Sequence, residues 1–379
     1  MIEVDDRLRA SRDYIAEAAS DLRTRALAID ADPTNMAPHM DSPAFRMMRL
    51  FTTPAQYRDE ELTHLPDHTG TGSCLEKVVG TVELARGDAG AVLAMPGPAL
   101  AGVVVEVLGS PTQQERFYRK LAGGHTWTFF AMTEPARGND ATAITTRLEK
   151  VGPGEYRLHG HKRYIGSGAR GGVGVVFART GPSPLSIRAV LVEVPAEGFR
   201  AERLPMVGLR GAYLSELWFD GLRVTDDMLL GQHLPATRRG IWGAMRTFNN
   251  MRIQVAALAV GTSLAIHDLV TELRPAAPGI ERQAARLEAA RQLVYDMAAQ
   301  VDHDSEQAYF PSAAKLSAVP LGIATARWAT EVAGPAGLFE HPLLEKWCRD
   351  VRAFEFMEGT TNIQRLHVSQ GYLKGRSDG

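Results

Sequence analysis

The spacing of apolar residues changes twice along the 379-residue chain, and this order limits the fold more than any single motif. Residues 125–232 contain short β-branched and aromatic segments bounded by Gly, Pro and Asp, which predict strands. Residues 1–124 and 233–379 instead show helical periodicity. In the first of these regions one apolar stripe is formed by Leu8, Ile15, Leu22 and Leu27. The sequence predicts an N-terminal helical domain, a β-domain and a C-terminal helical domain.

The strand segments follow one another without a helical pattern between them. They are HTWTFFAMTE, EYRLHGHKRYIG, GGVGVVFART, IRAVLVEVP and LSELWFDGLRV. Strands that alternate with helices form parallel sheets, whereas uninterrupted strands favour antiparallel sheets. We therefore expect the middle domain to be an antiparallel β-barrel.

The last region contains five helical patterns separated by short breaks. They are Thr237–Leu273, Ile280–Asp304, Ser312–Ala333, Leu343–Phe356 and Thr361–Lys374. The segment RPAAPG separates the first two, since its prolines cannot continue a helix. Long helices with short connections predict a four-helix bundle. Ser110 followed by Pro111 predicts another helix start, in the N-terminal domain.

Composition excludes several classes of function. The net charge is −2 and no block of Lys or Arg occurs, so we expect no nucleic-acid partner. The longest uncharged run, 89–105, is interrupted by Pro96, Gly97 and Pro98 and predicts buried core rather than a membrane span. Cys74 and Cys348 lie far apart, which predicts reduced cysteines, no metal site and a cytoplasmic location. The polar start, MIEVDDRLRA, is unlike a signal peptide.

The segment FEFMEGTTNIQR, residues 354–365, sets one carboxylate among apolar residues. Thr361 and Gln364 have the spacing of a capping box, which places a helix start directly after Glu358. Phe354, Phe356 and Met357 are candidates to line an apolar cleft, and Ile363, Leu366 and Leu373 to face inward from the helix. Burial would raise the pKa of Glu358 and suit it to act as a general base. The residues alone favour the alternative that Glu358 caps a helix or forms an ion pair with arginine.

The segment AMTEPARGND, residues 131–140, joins an apolar strand to a polar loop. Thr133, Gly138, Asn139 and Asp140 offer short side chains and exposed main-chain N–H groups, which suit a polar ring edge or a phosphate. An ordinary turn explains the pattern equally well.

Four ordered segments carry a resemblance to a known family. MTEPARGND resembles "TEPgaGSD", KRYIGSG resembles "K-x-W-I-T-N-G", LRGAYLSELWFDGLRVTDDMLLG resembles "RGS…F-V-VP…LLG", and RDVRAFEFMEGTTNIQR resembles "RDar…iYEGT-EIQR". These are motifs of the acyl-CoA dehydrogenases, and the similarity runs from about residue 70 to the end. The resemblance implies the same order of helical, β-barrel and four-helix-bundle domains.

The resemblance also implies a cofactor and a reaction. Acyl-CoA dehydrogenases hold FAD and remove hydrogen from the α- and β-carbons of an acyl thioester. Glu358 matches the catalytic base, which takes the α-proton while a hydride passes from the β-carbon to FAD N5. The main-chain N–H of Glu358 would polarise the thioester carbonyl. Some relatives carry the base on a bundle helix, but Met251 occupies that position here and cannot accept a proton.

Further site residues follow by position. The resemblance implies FAD contacts at Met132, Thr133, Gly138, Asn139, Tyr164, Gly166, Ser167, Glu331, Gly337, Thr360 and Asn362. It implies substrate contacts at Asn139, Phe248, Asn249, Arg252, Met357 and Gly359. It further implies an electron-transfer flavoprotein or similar acceptor and a homodimer or homotetramer.

The chain departs from the family pattern at several of these positions. Gly166 replaces a hydroxyl residue beside the flavin, with the adjacent Ser167 as a candidate to compensate, and Asn249 replaces an aspartate of the substrate site. Glu331 replaces a glutamine near the FAD pyrophosphate, and an "R-x-x-FG" segment is missing where TELRPAAPGIERQ stands. Arg274 is a candidate to substitute in part. Three alternatives stay open: an acyl-carrier-protein substrate, as in secondary metabolism; a flavin oxidase or N-oxygenase; and a non-catalytic family member.

Overall fold

The computed structural model describes residues 6–63, 72–304 and 306–377. In the described part of the chain six α-helices precede the sheet: α1 Asp6–Ala31, α2 Pro43–Thr52, α3 Glu60–Thr63, α4 Cys74–Ala94, α5 Ala99–Leu108 and α6 Pro111–Leu121. The predicted start of α6 is confirmed, because Ser110 accepts a hydrogen bond from Gln113 N in a complete capping box. Along α1, Ile15 and Leu22 are fully buried, but Leu27 is 40% exposed, so its predicted core position is wrong. Ile29 continues the buried stripe instead.

Eight strands form one sheet in the order β6-β7-β3-β2-β4-β5-β8, with β1 paired to β4. Their bounds are β1 Trp127–Ala131, β2 Arg147–Gly152, β3 Glu155–Ile165, β4 Gly171–Arg179, β5 Ile187–Glu193, β6 Phe199–Arg203, β7 Ser215–Thr225 and β8 Leu229–Leu230. The expected purely antiparallel arrangement is wrong, because β1 and β2 both pair with β4 in parallel. Parallel strands require a long crossover, which is commonly a helix. Here the β2–β3 hairpin lies within the crossover from β1 to β4, so the absence of a helical pattern did not exclude parallel pairs.

Five helices follow the sheet: α7 Gly240–Leu273, α8 Ile280–His303, α9 Tyr309–Glu340, α10 Pro342–Asp350 and α11 Thr361–Ser377. The predicted helix Leu343–Phe356 ends early, and a short 3₁₀ helix at Ala353–Glu355 follows α10. Among the described helices, one segment, Ala236–Leu273, is long and apolar enough to cross a membrane. Its most apolar window is 72% buried in the fold, as expected for a central core helix.

The N- and C-terminal helices share one hydrophobic core. Buried residues of α1, α4, α7, α8, α9 and α10 pack in a single cluster. A buried ion pair stabilises this contact. Lys346 Nζ of α10 lies 2.6 Å from Asp88 Oδ2 of α4 and 2.7 Å from Asp350 Oδ2. The sheet has a core of its own, and a third cluster joins α5, α6 and α7 to one sheet face. The predicted domain limits at 124/125 and 232/233 stay predictions.

Candidate active site

Glu358 lies in a strained turn between the 3₁₀ helix Ala353–Glu355 and α11. Its φ is +51°, a left-handed conformation that residues other than glycine seldom adopt, and Gly359 follows at +94°. Strain of this kind costs on the order of 1–3 kcal/mol and persists only where surrounding contacts hold it. We call Glu355–Gly359 the glutamate turn.

Lys315 of α9 lies directly behind the glutamate turn. Its ammonium group donates to the main-chain carbonyls of Met357 and Gly359, and at 3.4 Å to that of Glu355. The side chain is only 2% exposed. A buried cation from the helical bundle therefore holds the main chain on both sides of Glu358.

The carbonyl of Glu358 itself is held from two other helices. Arg252 Nε of α7 and Gln364 Nε2 of α11 each donate to it at 3.1 Å. Arg252 also donates to Asn249 Oδ1 at 2.8 Å, and both side chains are buried. The predicted substrate residues Asn249 and Arg252 are thus brought beside the predicted base.

The predicted capping box at Thr361 and Gln364 is wrong, although α11 does begin at Thr361. The Gln364 amide bonds backward to the carbonyls of Glu358 and Gly359. The carboxylate of Glu355 accepts from the Thr361 N–H at 2.9 Å and from its hydroxyl. Glu355 therefore stabilises the helix start, which leaves Glu358 free of that role.

The carboxyl group of Glu358 has the electrostatics of a general base. Burial raises its pKa to about 7, although the positive charges of Lys315 and Arg252 act in the opposite direction. Burial also lowers the pKa of Lys315 to about 8 and that of Arg252 to about 10, while Glu358 draws both back upward. No described cation forms an ion pair with the Glu358 carboxylate within 4.0 Å, so the arginine-pair alternative is not supported.

The other predicted apolar and substrate residues divide into two groups. Phe354 is fully buried and Met357 packs against the main core, but Phe356 is 75% exposed and its expected place in an apolar cleft is wrong. Phe248 packs edge-on against Phe130 of β1, with ring centroids 5.5 Å apart. This contact connects α7 to the strand that leads into the polar loop.

The polar loop after β1 is fixed by a buried carboxylate. Glu134 accepts hydrogen bonds from the main-chain N–H and hydroxyl of both Thr145 and Thr146, at 2.6 to 2.8 Å. Lys162 lies 3.0 Å from Glu134 and also donates to the Met132 carbonyl at 2.9 Å. Both members of this ion pair are buried. The loop therefore has a fixed base, while its tip, residues 135–140, is exposed.

The loop tip and the glutamate turn face each other. Thr360 Oγ1 donates to Asn139 Oδ1 at 3.3 Å, which places Asn139 near the chain that follows Glu358. Thr133 is joined to β3, because its carbonyl accepts from Arg163 N at 2.9 Å. The next residue, Tyr164, is 53% exposed and has a φ of +61°.

The residues present fit a flat, polar cofactor such as a flavin. Tyr164 offers an exposed aromatic ring beside Thr133, and Gly166 is exposed in the same turn. Ser167 is buried in a left-handed conformation and its hydroxyl contacts Arg170, so it does not simply replace the hydroxyl missing at Gly166. A flat ring could stack on the exposed Tyr164 side chain, and Asn139 and Thr360 offer polar groups for its edge.

Three predicted cofactor residues lie outside this group. Asn362 is exposed on the first turn of α11, Glu331 is exposed on α9, and Gly337 is buried beyond a break at Gly334. No described hydrogen bond joins any of the three to Asn139 or Tyr164. The connection from α7 to α8 spans only Arg274 to Gly279, so the FG segment of the family pattern has no counterpart here, as the sequence predicts.

The sequence did not reveal the supporting residues Lys315, Glu355, Glu134 and Lys162. Lys315 is 42 positions from Met357, the residue before Glu358, and nothing in its local pattern, SAAKLSA, marks it as functional. Glu134 and Lys162 do stand within two of the motif segments, MTEPARGND and KRYIGSG, but no local feature indicates that they pair. A buried lysine requires a partner, and for Lys162 that partner is Glu134.

Comparison with known proteins identifies the family. The sequence profile of the acyl-CoA dehydrogenase middle domain matches residues 129–222, and that of the C-terminal domain matches residues 280–373. An acyl-CoA dehydrogenase of Bacillus subtilis (strain 168) is 31% identical over 285 residues, which cover 70% of this chain and 74% of the relative. The chain belongs to the acyl-CoA dehydrogenase family.

Solved structures agree with the acyl-CoA dehydrogenase fold. The glutaryl-coenzyme A dehydrogenase–glutaryl-CoA complex superimposes with a TM-score of 0.85 at 21% identity, covering 99% of this chain and 97% of that one. A prolyl acyl carrier protein oxidase superimposes with a TM-score of 0.81 at 21% identity, covering 97% and 99% of the two chains. At this identity the structures establish the fold. The predicted order of helical, β and helical regions is confirmed.

Proposed function

We propose that this acyl-CoA dehydrogenase family member catalyses FAD-dependent dehydrogenation of an acyl thioester. The observation that carries the proposal is Glu358, a desolvated carboxyl group with a pKa of about 7 on a turn held by three helices. A structural carboxylate would be ion-paired or would cap a helix. Glu358 does neither among the described residues, and Glu355 fills the helix-start role.

Glu358 removes the α-proton of the thioester. A carboxylate whose pKa lies near neutral is deprotonated at working pH and still basic enough to accept a proton. The Glu358 main-chain N–H donates to no described acceptor, so it is available to the thioester carbonyl. Charge that develops on that oxygen as the α-proton leaves would be stabilised by this N–H.

FAD would be held by the loop tip, the end of β3 and the start of α11. Asn139, Tyr164 and Thr360 supply polar and aromatic contacts from these segments. When bound, FAD supplies the acceptor for the hydride that leaves the β-carbon. The thioester would gain a carbon–carbon double bond, and the partner expected to accept the electrons is an electron-transfer flavoprotein or similar acceptor.

A carrier-protein thioester is a second candidate substrate, as expected for secondary metabolism. It is favoured by Asn249, which stands where the family pattern has aspartate and whose Oδ1 accepts a hydrogen bond from Arg252. The likeness to a prolyl acyl carrier protein oxidase is compatible with this substrate class.

We also propose a cytoplasmic homo-oligomer. Support for the oligomer comes from large apolar side chains exposed on α9 and α11, including Phe339, Leu366 and Leu373. Leu366 and Leu373 were expected to face inward, and that expectation is wrong because they are 55% and 66% exposed. Replacing both with aspartate should lower the mass measured by light scattering if they form the interface.

Support for the cytoplasm comes from the free cysteines Cys74 and Cys348.

The test is an anaerobic visible spectrum of the purified protein during addition of short, branched and aromatic acyl-CoAs, and then of acyl carrier proteins. Bleaching of a flavin band by one thioester supports the proposal and identifies its carrier. Rapid reoxidation of the bleached flavin by oxygen would favour an oxidase, and a flavin band that no thioester bleaches would favour an N-oxygenase. A protein that binds no FAD would contradict the proposal and favour a non-catalytic role.

A further inference from the structure

Lys315 has an unusual environment for a buried lysine. Its ammonium group has three N–H donors, and three main-chain carbonyls, of Glu355, Met357 and Gly359, accept them. No described carboxylate forms an ion pair with it within 4.0 Å. Carbonyl dipoles of one short turn therefore replace the carboxylate that buried lysines usually have.

The alternative for a buried lysine is visible elsewhere in the molecule. Lys346 is equally buried, but two carboxylates, of Asp88 and Asp350, lie within 2.7 Å of its ammonium group. That arrangement is an ordinary buried ion pair, which joins α4 to α10. Lys315 instead donates hydrogen bonds to main-chain carbonyls, and these belong to the turn that carries Glu358.

The three contacts act on the conformation of Glu358. Two of the accepting carbonyls belong to Met357 and Gly359, the residues on either side of it. Because the third contact reaches Glu355, Lys315 spans the whole glutamate turn. A left-handed glutamate would otherwise relax toward an ordinary backbone conformation.

We infer that Lys315 is a positioning residue, which holds the glutamate turn in the conformation that presents the Glu358 carboxyl group to substrate. The inference rests on the proposed function for its catalytic consequence only. Other charged or titratable groups near the two side chains are Arg252 of α7 and Glu355 of the turn, and on α11 His367, which bonds Ser312 of α9. Of these groups only Lys315 binds the carbonyls on both sides of Glu358.

The experiment compares Lys315→Met and Lys315→Arg with Lys346→Met as a matched buried-lysine control. Two properties are measured: the rate of anaerobic flavin reduction by the best thioester, and the titration of the Glu358 carboxyl group by infrared difference spectroscopy. The Glu358→Gln variant identifies the Glu358 band. The titration requires no substrate, so it reports on the turn even if no thioester reduces the wild-type protein.

Lys315→Met should raise the Glu358 pKa, because a nearby positive charge is lost, and should slow reduction about 100-fold, as expected for a misplaced catalytic group. In Lys315→Arg the Glu358 pKa should stay near its wild-type value, because the positive charge is kept. Flavin reduction should still be slow, since a planar guanidinium cannot direct three donors at these carbonyls. Lys346→Met should lower the unfolding temperature without moving the Glu358 titration.

Wild-type titration and rate in Lys315→Met would overturn the inference. A raised Glu358 pKa and slowed flavin reduction in Lys346→Met, as large as in Lys315→Met, would also overturn it, because they would show a general effect of lost stability. If Lys315→Met does not fold, Lys315→Arg decides: slow reduction supports the inference and wild-type reduction overturns it. If wild-type protein is not reduced by any thioester, the proposed function fails and the titration alone decides the role of Lys315.

Discussion

The Arg252 side chain donates its Nε hydrogen to the main-chain carbonyl of Glu358 at 3.1 Å. Arginine commonly binds carboxylates or phosphates, but here it binds the backbone of the residue that we identify as the base. Its charge still acts on the Glu358 carboxyl group and lowers its pKa against the larger effect of burial. The base is therefore held in place without being neutralised by an ion pair.

The first prediction concerns the pH dependence of flavin reduction. The rate of flavin reduction should rise as pH increases through about 7, where Glu358 loses its proton. It should fall above pH about 8, where Lys315 loses one of its three N–H donors. The measurement is the anaerobic reduction rate under saturating thioester from pH 5.5 to about 9.5. In Lys315→Arg the alkaline fall should disappear, because arginine stays protonated. A rate independent of pH in wild type would contradict the assignment.

The second prediction concerns stability and has a definite sign. The pKa of Glu358 rises from its ordinary 4.5 to about 7 on folding, so the fold favours the protonated form. Between these pH values the unfolded chain releases a proton that the folded chain keeps, and stability therefore falls as pH rises. Glu358→Gln should be more stable than wild type by on the order of 1–3 kcal/mol at pH 8. Urea unfolding at pH 4 and pH 8 checks this, and at pH 4 the two proteins should nearly agree.

The third prediction concerns the carboxylate beneath the cofactor loop. Burial alone would raise the pKa of Glu134, but Lys162 and the threonine hydrogen bonds outweigh it and hold the pKa at about 2. Its contribution to stability is thus present above its ordinary value of 4.5 and is lost as pH falls through about 2. Glu134→Ala should cost about 3–5 kcal/mol at pH 7, because Lys162 is left buried and unpaired. The exposed Glu149→Ala is the control, and equal unfolding midpoints of the two variants would refute the role.

The fourth prediction concerns the exposed ring of Tyr164. An aromatic ring stacked on a flavin contributes about 0.5–1.5 kcal/mol beyond the area it buries. Tyr164→Ala should therefore bind FAD roughly 3- to 10-fold more weakly, as measured by fluorescence titration of the FAD-free protein. The partly exposed Tyr14→Ala, on α1, should bind FAD as wild type does. Unchanged affinity in Tyr164→Ala would place the flavin elsewhere.

Local patterns predicted the order of the regions and several element limits, because periodicity and caps are properties of neighbouring residues. The start of α6 at Ser110 and the end of α7 near Leu273 are examples. The helix start at Thr361 was also predicted, but its cap was not, since the carboxylate that serves it comes from Glu355 outside the helix.

The supporting contacts of the site could not be predicted because they join distant parts of the chain. Glu134 meets Lys162 across 28 residues, and Lys315 meets Met357 across 42. Such pairs leave no periodic pattern. The exposure of Leu366 shows the converse limit: an apolar stripe indicates that a face is to be covered, but not what covers it.

The most direct test is anaerobic flavin reduction in the wild type and in Glu358→Gln, with the best thioester at pH 7.5. Glutamine retains the shape of the side chain and cannot accept the α-proton, so the variant should bind FAD but lose reduction by at least about 100-fold. A yellow Glu358→Gln protein that is not bleached by a thioester that bleaches wild type is the predicted result. Reduction of both proteins at the same rate would contradict Glu358 as the base.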